Sequence, residues 1–238
     1  MEVLVMNKWL ILVAVTVIPL LFLAFVFTGC GKVVEEGGTT TTTTTTTSTS
    51  GTTTTTSYSA TSSTILAIRY PTDNTTANSN AASTPQYLST ISLVGWDGSA
   101  TNESFIKFDV SSIPLLTDIQ SANLKLYINS VSYNPLEIST MKIYLYNVNM
   151  NWYENTLTWN YKPATIGTVV ASKELNILSL PADSWLSIDV KDTVQGWVNT
   201  SIPNNGLVML TMDSSHLNIF SYNSKANTSN RPKLEISY

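Results

Sequence analysis

The sequence contains a single cysteine, Cys30, and a single histidine, His216. One cysteine excludes a disulfide within the chain, so any folded domain has to be held together by its apolar core. A zinc site built from histidine and cysteine ligands is excluded as well, because such sites need several of these residues. The sequence therefore predicts neither a disulfide scaffold nor a structural zinc site.

Charged residues are also scarce: they make up 12% of the chain, and the formal net charge is −4. The lysines and arginines do not cluster; Lys107, Lys125, Lys142, Lys162 and Lys173, for example, are spread singly. Nucleic-acid binding requires a clustered basic surface, which this pattern does not provide. We therefore expect no nucleic-acid partner.

The N-terminal region is apolar and carries no charge from Trp9 to Phe27. Gly29 and Cys30 follow directly, and small residues before a cysteine at this position resemble a lipobox. This pattern predicts a helical signal peptide over residues 1–29 and lipidation of Cys30. The alternative is a retained transmembrane helix, because about 20 apolar residues suffice to span a bilayer. Both alternatives predict a chain that is membrane-anchored at the cell surface, on the extracytoplasmic side.

Residues 30–63 are dominated by threonine and serine, including the uninterrupted run 39–47. Ordering such a segment would cost backbone entropy without burying apolar surface, so we expect a disordered linker. The linker is either O-glycosylated, as Ser/Thr-rich stalks often are, or an undecorated spacer. In both cases it separates the following domain from the membrane.

Residues 64–238 show short runs in which apolar and polar residues alternate, separated by turn residues. The clearest run is 123–128, and 141–148 repeats the pattern. Residues 206–212 are almost continuously apolar, which is typical of a strand buried on both faces. These features predict an all-β fold, a jelly-roll-like antiparallel β-sandwich.

One short helix interrupts the strands. Val190, Val194, Trp197 and Val198 recur at helical spacing and form one apolar stripe. Asp189 is expected to cap the N-terminus of this helix. A lone amphipathic helix in such a domain is expected to close one end of the sandwich.

An ordered set of short segments resembles the DNRLRE domain family. The set comprises residues 105–114, 122–127, 152–154, 156–160 with Pro163, 188–190, 194–198, 205–207 and 231–238. This family is similar to carbohydrate-binding modules, and its members are extracellular proteins with a jelly-roll-like β-sandwich. The resemblance implies glycan binding or a structural role at a surface. It assigns no ligand residues.

Aromatic residues beside turns are the candidate ligand contacts, because aromatic rings stack on the apolar faces of sugars. Trp96, Tyr133 and Tyr153 lie next to turn residues, and we predict that they bind carbohydrate. Trp152 and Trp159 are predicted to fill the core, with sugar stacking as the alternative. Each of the three candidates has an alternative too, a ring folded over its own loop.

The acidic residues and the histidine form no recognisable metal-binding or catalytic motif. Four aspartates are conceivable ligands for structural calcium, with turn capping as the alternative: Asp97, Asp109, Asp189 and Asp213. They do not form a dense calcium-binding loop, so no metal site is predicted. His216 is interpreted as a surface-loop residue, and the sequence contains no nucleophile elbow. We therefore expect a protein that is not an enzyme and needs no cofactor.

Two functions fit the sequence. The first is a lipid-anchored module that binds a polysaccharide or surface glycan, or mediates adhesion. The second is a structural protein of the envelope or cell wall without a specific glycan ligand. Exposed aromatic residues gathered in one patch would favour the first function, and scattered ones the second.

Overall fold

The computed structural model describes residues 64–137, 140–176 and 182–238. The predicted signal peptide 1–29, Cys30 and the linker 30–63 lie outside the described residues. Within the described ranges the chain forms eleven strands and one helix. No helix in these ranges is long and apolar enough to cross a membrane.

The strands are short to medium in length. They are β1 Leu66–Arg69, β2 Pro71–Asn78, β3 Ile91–Trp96, β4 Thr101–Phe108, β5 Ser121–Tyr133, β6 Thr140–Val148, β7 Thr165–Asn176, β8 Trp185–Asp189, β9 Leu207–Leu210, β10 Asn218–Asn223 and β11 Lys233–Ser237. Helix α1, Lys191–Val198, lies between β8 and β9.

All strand pairs are antiparallel. The first sheet has the order β1-β11-β5-β8. The second continues from the later part of β5 through β10, β3, β4, β9 and β6 to β7, with β2 added beside β4. The main core contains residues of both sheets, such as Leu124 and Leu145. The predicted all-β antiparallel sandwich is therefore confirmed, as a curled arrangement in which β5 belongs to both sheets.

Strand β5 changes sheets at a β-bulge. Its pairing with β10 shifts between Ser221 and Tyr222, so that Ile128 and Ser130 face consecutive residues of β10. The extra residue, Asn129, reverses the alternation of side chains, because each strand position points to the opposite face from the last. Even-numbered residues up to Ile128 are buried in the core, whereas after the bulge Val131 and Tyr133 pack against it.

Helix α1 buries its predicted stripe, including Val194, Trp197 and Val198. The prediction that Asp189 is the N-cap was wrong by one residue, because the N-cap is Val190 and has no side-chain cap. The Asp189 carboxylate nevertheless accepts the backbone N–H of Lys191 at 2.9 Å.

A second, smaller core lies on the other side of β4 and β9. Phe105 and Val208 point into it, and Trp152 and Leu157 cover it. Both covering residues belong to the long connection between β6 and β7, residues 149–164, here called the covering segment. Burial on two faces explains why β9 is apolar throughout, as its sequence predicted. It also shows that Trp152 fills a core.

Candidate functional site

Hydrogen bonding divides the tryptophans into two groups. Trp152 donates its indole N–H to the carbonyl oxygen of Asn205 at 2.8 Å, and Trp197 donates to Oδ1 of Asn147 at 3.3 Å. Trp96, Trp159 and Trp185 donate no indole hydrogen bond within the described ranges. The first two rings are thus part of the framework, whereas the other three present an unused donor.

Of these three rings, Trp159 is the least available for stacking against a ligand. Its ring packs partly against the second core, and Nζ of Lys162 lies 3.5 Å from its centroid. The same Lys162 forms an ion pair with Glu103 on β4. One face of this indole is therefore already covered by a cation that is itself paired.

Trp96 and Tyr133 lie on either side of Asn218. In the register of the sheet, Asn218 on β10 pairs with Trp96 on β3 and with Tyr133 on β5. Directly opposite residues in antiparallel strands point to the same face, and two strand spacings separate their backbones by about 10 Å. The structure thus brings together two of the three predicted aromatic residues. Trp96, Tyr133 and Asn218 are here called the loop end.

Asn218 is buried and holds the surrounding loops in place. Its side-chain amide donates to the carbonyl oxygens of Asp213 at 3.0 Å and His216 at 2.8 Å. Its Oδ1 accepts the hydroxyl of Thr211 at 3.2 Å and the backbone N–H of Trp96 at 3.3 Å. One side chain therefore fixes both the β9–β10 loop and the end of β3.

The four aspartates considered as calcium ligands all make the same local contact. Each accepts the backbone N–H of the residue two positions later: Ser99 for Asp97, Ser111 for Asp109, Lys191 for Asp189 and Ser215 for Asp213. Turn capping thus accounts for all four carboxylates. Among the described residues no group of three or more His, Cys, Asp or Glu side chains is arranged to hold a metal ion.

Two of these carboxylates lie in turns at the loop end and stay ionised. Burial on its own raises the pKa of Asp213, but hydrogen bonds from the Ser215 backbone, the His216 ring and the Ser215 hydroxyl outweigh it and lower the pKa to about 2. Asp97 follows the same pattern: burial is outweighed by hydrogen bonds from Ala100, Ser99 and Asn102, which lower its pKa. Both loops therefore have a fixed, charged centre at neutral pH.

His216 contacts both neighbours through one ring nitrogen. Nδ1 lies 3.1 Å from the hydroxyl of Ser215 and 2.9 Å from Oδ2 of Asp213. The serine hydroxyl and the aspartate carboxylate therefore meet at the same nitrogen. A catalytic relay needs the serine and the aspartate on different ring nitrogens, however. The cluster therefore holds the loop and has no relay geometry.

A polar groove of about 290 Å³ adjoins Asn218. Its walls carry a cation, Lys142, and two carboxylates, those of Glu174 and Asp213, together with the ring of Tyr144. Nζ of Lys142 lies 5.3 Å from the centroid of that ring. Donors and acceptors beside an aromatic ring are the groups that a polyhydroxylated ligand requires.

Tyr153 is not part of the loop end. It belongs to the covering segment and is 60% exposed, with Nζ of Lys107 at 5.4 Å from its ring centroid. Lys107 lies six residues along β4 from Thr101, the partner of Trp96, so about 20 Å of strand separates the two places. Tyr153 remains a separate prediction at another place on the surface.

Trp185 was not selected from the sequence, although it is 41% exposed. It begins β8, where Leu186 and Ile188 face the core and Trp185 faces outward. That alternation was visible in the sequence. The aromatic partner of Trp185, Tyr127 on β5, is 58 positions away in the chain, so only the pairing of the strands reveals the cluster.

Comparison with known proteins identifies relatives of far greater length. The chain is 28% identical over 182 residues to the tRNA nuclease WapA of Bacillus subtilis strain 168. It is also 28% identical over 183 residues to the tRNA3(Ser)-specific nuclease WapA of Bacillus spizizenii. Each alignment covers 76% of this chain and 7% of the relative, so the chain spans a small fraction of those proteins.

The family comparison covers the whole β-sandwich. The model of carbohydrate-binding module family 96 matches residues 45–238, which include every strand described above. The expectation of a domain similar to carbohydrate-binding modules is thereby confirmed. The chain belongs to carbohydrate-binding module family 96.

Proposed function

We propose that the chain is a cell-surface lipoprotein that binds a glycan, or mediates adhesion through one, at its loop end. The observation that carries this proposal is the pair Trp96 and Tyr133, which face the same way on either side of a buried Asn218. Carbohydrate-binding modules bind sugars without transforming them, which agrees with a chain that is not an enzyme.

The chemistry of the loop end suits a sugar. A pyranose ring offers apolar C–H faces to aromatic side chains and hydroxyl groups to polar ones. The turns around Asp97 and Asp213 are already fixed by their own hydrogen bonds, so little loop entropy is lost when a ligand binds. The indole N–H of Trp96 is available as a further donor.

The position of the loop end also favours presentation to a partner. Ile65, next to the first described residue, exchanges hydrogen bonds with Tyr238, and Ser237 pairs with Ser121 at the start of β5. Tyr133 ends that same strand, which is about 40 Å long at 3.3 Å per residue. The preceding linker therefore joins the sandwich far from the proposed binding residues.

Replacing Trp96 or Tyr133 by alanine should weaken glycan binding about ten-fold or more, as expected for central aromatic contacts. The measurement is depletion of the full chain, in mild detergent, by insoluble cellulose, chitin, xylan and mannan. Tyr161→Ala is the matched control, because Tyr161 is 80% exposed in the covering segment and outside the loop end.

The control variant should bind like the wild type. Equal loss in Tyr161→Ala and Trp96→Ala would argue against a specific site at the loop end. Failure of the folded wild type to bind any of these polymers would favour the alternative, a structural envelope protein.

The anchor is a proposal of its own. Diacylglyceryl lipid on Cys30 would supply two acyl chains, and two chains hold a protein stably at a membrane. We expect intact mass spectrometry of the membrane-bound protein to show a chain that begins at Cys30 and carries the mass of the lipid. A chain that retains residues 1–29 with unmodified Cys30 would indicate a transmembrane helix instead.

A further inference from the structure

The outer face of the first sheet carries a second group of aromatic and polar side chains. Trp185 on β8 lies edge to face with Tyr127 on β5, with ring centroids 5.3 Å apart and planes at 76°. Nζ of Lys233, on β11, lies 4.8 Å from the centroid of Trp185. Because Lys233 is two strands away from Trp185, the indole extends across β5 over the face of the sheet. Its indole N–H has no hydrogen-bond partner in the described ranges.

Charged side chains stand beside this ring. Lys233 pairs with Lys125 in the register of the sheet. The carboxylate of Glu235 forms an ion pair with each of these two lysines. Nζ of Lys233 lies 2.8 Å from Glu235, whereas Nζ of Lys125 lies 3.8 Å from it. The longer distance exceeds that of a hydrogen bond, so Lys125 and Glu235 present a donor and an acceptor side by side without satisfying each other.

This combination matches one class of ligand. Two adjacent hydroxyls of a pyranose provide an acceptor for the Lys125 ammonium and a donor for the Glu235 carboxylate. The C–H face of the same or the next sugar can then stack on Trp185. Two cations and one anion lie close together here, with a net charge of +1, so each charge has an opposite charge beside it and a neutral sugar can bind without an ionic partner.

All of these side chains lie on paired strands, which fixes their spacing before a ligand arrives. Cross-strand pairing sets Trp185 opposite Tyr127 and Lys125 opposite Lys233. Sites on strands are held more precisely than sites on loops, and less entropy is lost on binding. Trp185, Tyr127, Lys125, Lys233 and Glu235 are together called the tryptophan face.

We propose that the tryptophan face is a second carbohydrate site, which binds a neutral pyranose chain by stacking on Trp185 and hydrogen bonding to Lys125 and Glu235. The inference rests on the proposed function of the chain, but it uses none of the residues of the loop end. Tyr127 and Tyr133 are six residues apart on β5, about 20 Å along the strand, and the bulge between them turns their side chains to different faces. Each site therefore binds its own segment of a polymer, and a long flexible chain with many repeats can supply both segments.

Isothermal titration calorimetry of the full chain in mild detergent separates the two sites by stoichiometry. The probes are cellohexaose, chitohexaose, xylohexaose and mannohexaose, which test four sugar types. We expect the wild type to bind two molecules of the recognised hexasaccharide, and Trp185→Ala or Lys125→Ala to bind one. Tyr161→Ala is the control and should still bind two. Binding of Trp185→Ala to the corresponding insoluble polymer should fall at least ten-fold, because two linked sites gain affinity from each other.

The remaining outcomes distinguish the proposals. One bound molecule in the wild type, lost in Trp96→Ala and kept in Trp185→Ala, would overturn the tryptophan face and leave the loop end standing. One bound molecule that is lost only in Trp185→Ala would support the face and overturn the loop end. No binding of any hexasaccharide by the folded wild type would overturn both sites.

Discussion

Alanine in place of Gly95 should lower the free energy of unfolding by about 3 kcal/mol or more. A Cβ atom at this position would lie 1.9 Å from the backbone oxygen of Asn218 and 2.9 Å from its Oδ1. Gly95 also has φ of +114°, which L side chains rarely adopt. The clash is with backbone, so β3 and β10 have to separate where they hold Trp96. Urea unfolding of the full chain measures the loss, and glycan binding at the loop end should be lost as well.

Gly98→Ala, in the turn that directly follows β3, is the matched control. Gly98 has φ of +94°, but a Cβ atom there would have no neighbour within 4 Å. This variant therefore carries only the backbone strain of a positive φ, about 1–3 kcal/mol, without a collision between strands. If the two variants lost the same stability, the close approach of β10 to Gly95 would not be what the glycine serves.

Alanine in place of Trp152 should cost about 3–5 kcal/mol, the usual range for removing a buried tryptophan. The ring meets Phe105 edge to face with centroids 5.8 Å apart, and its N–H binds the carbonyl oxygen of Asn205. Nζ of Lys107 lies 5.1 Å from the ring centroid and also donates to the backbone oxygen of Trp152 at 2.7 Å. The substitution opens the second core and leaves a carbonyl group without its donor.

Two further variants isolate the cause. Trp152→Phe keeps most of the ring but not the N–H, so its loss should be about 1–3 kcal/mol, the cost of one unmade hydrogen bond. Tyr161→Ala lies in the same covering segment, is exposed and should be near neutral. Thermal unfolding of the three variants tests this order. A neutral Trp152→Ala would mean that the covering segment does not support the sandwich.

The parts of the fold that followed from the sequence are those in which a local pattern is sufficient. Met141, Ile143 and Leu145 alternate with polar residues, and all three are buried. The nearly continuous apolar run at β9 correctly indicated burial on both faces, because Leu207 and Met209 enter the main core and Val208 the second.

The features of the fold that the sequence did not predict depend on strand pairing or on exposure to solvent. Strand β7 is largely exposed on an edge, with Leu175 its one fully buried residue, so its sequence has no alternation to detect. The bulge at Asn129 depends on a partner strand more than 90 residues away, at Ser221. No local feature of β5 indicates that side-chain alternation reverses there.

The same limit applied to the candidate site. Trp96, Tyr133 and Tyr153 were chosen by one criterion, an aromatic residue beside a turn. Pairing with Asn218 joins the first two, whereas Tyr153 is carried to another region by the covering segment. The sequence did not predict the tryptophan face, because its residues come from three strands and none of them lies in a turn.

The first and last strands of the sandwich, β1 and β11, pair with each other, and this pairing has a mechanical consequence. Strand β1 runs in the same direction as β5, away from Thr64 and towards the loop end, and β11 pairs with it in antiparallel register. In a chain held by its N-terminus, tension from a glycan at the loop end pulls along the axis of β1. The β1–β11 hydrogen bonds lie across that axis, so they bear the load together in shear. Tension between the two termini would instead peel the strands apart one bond at a time.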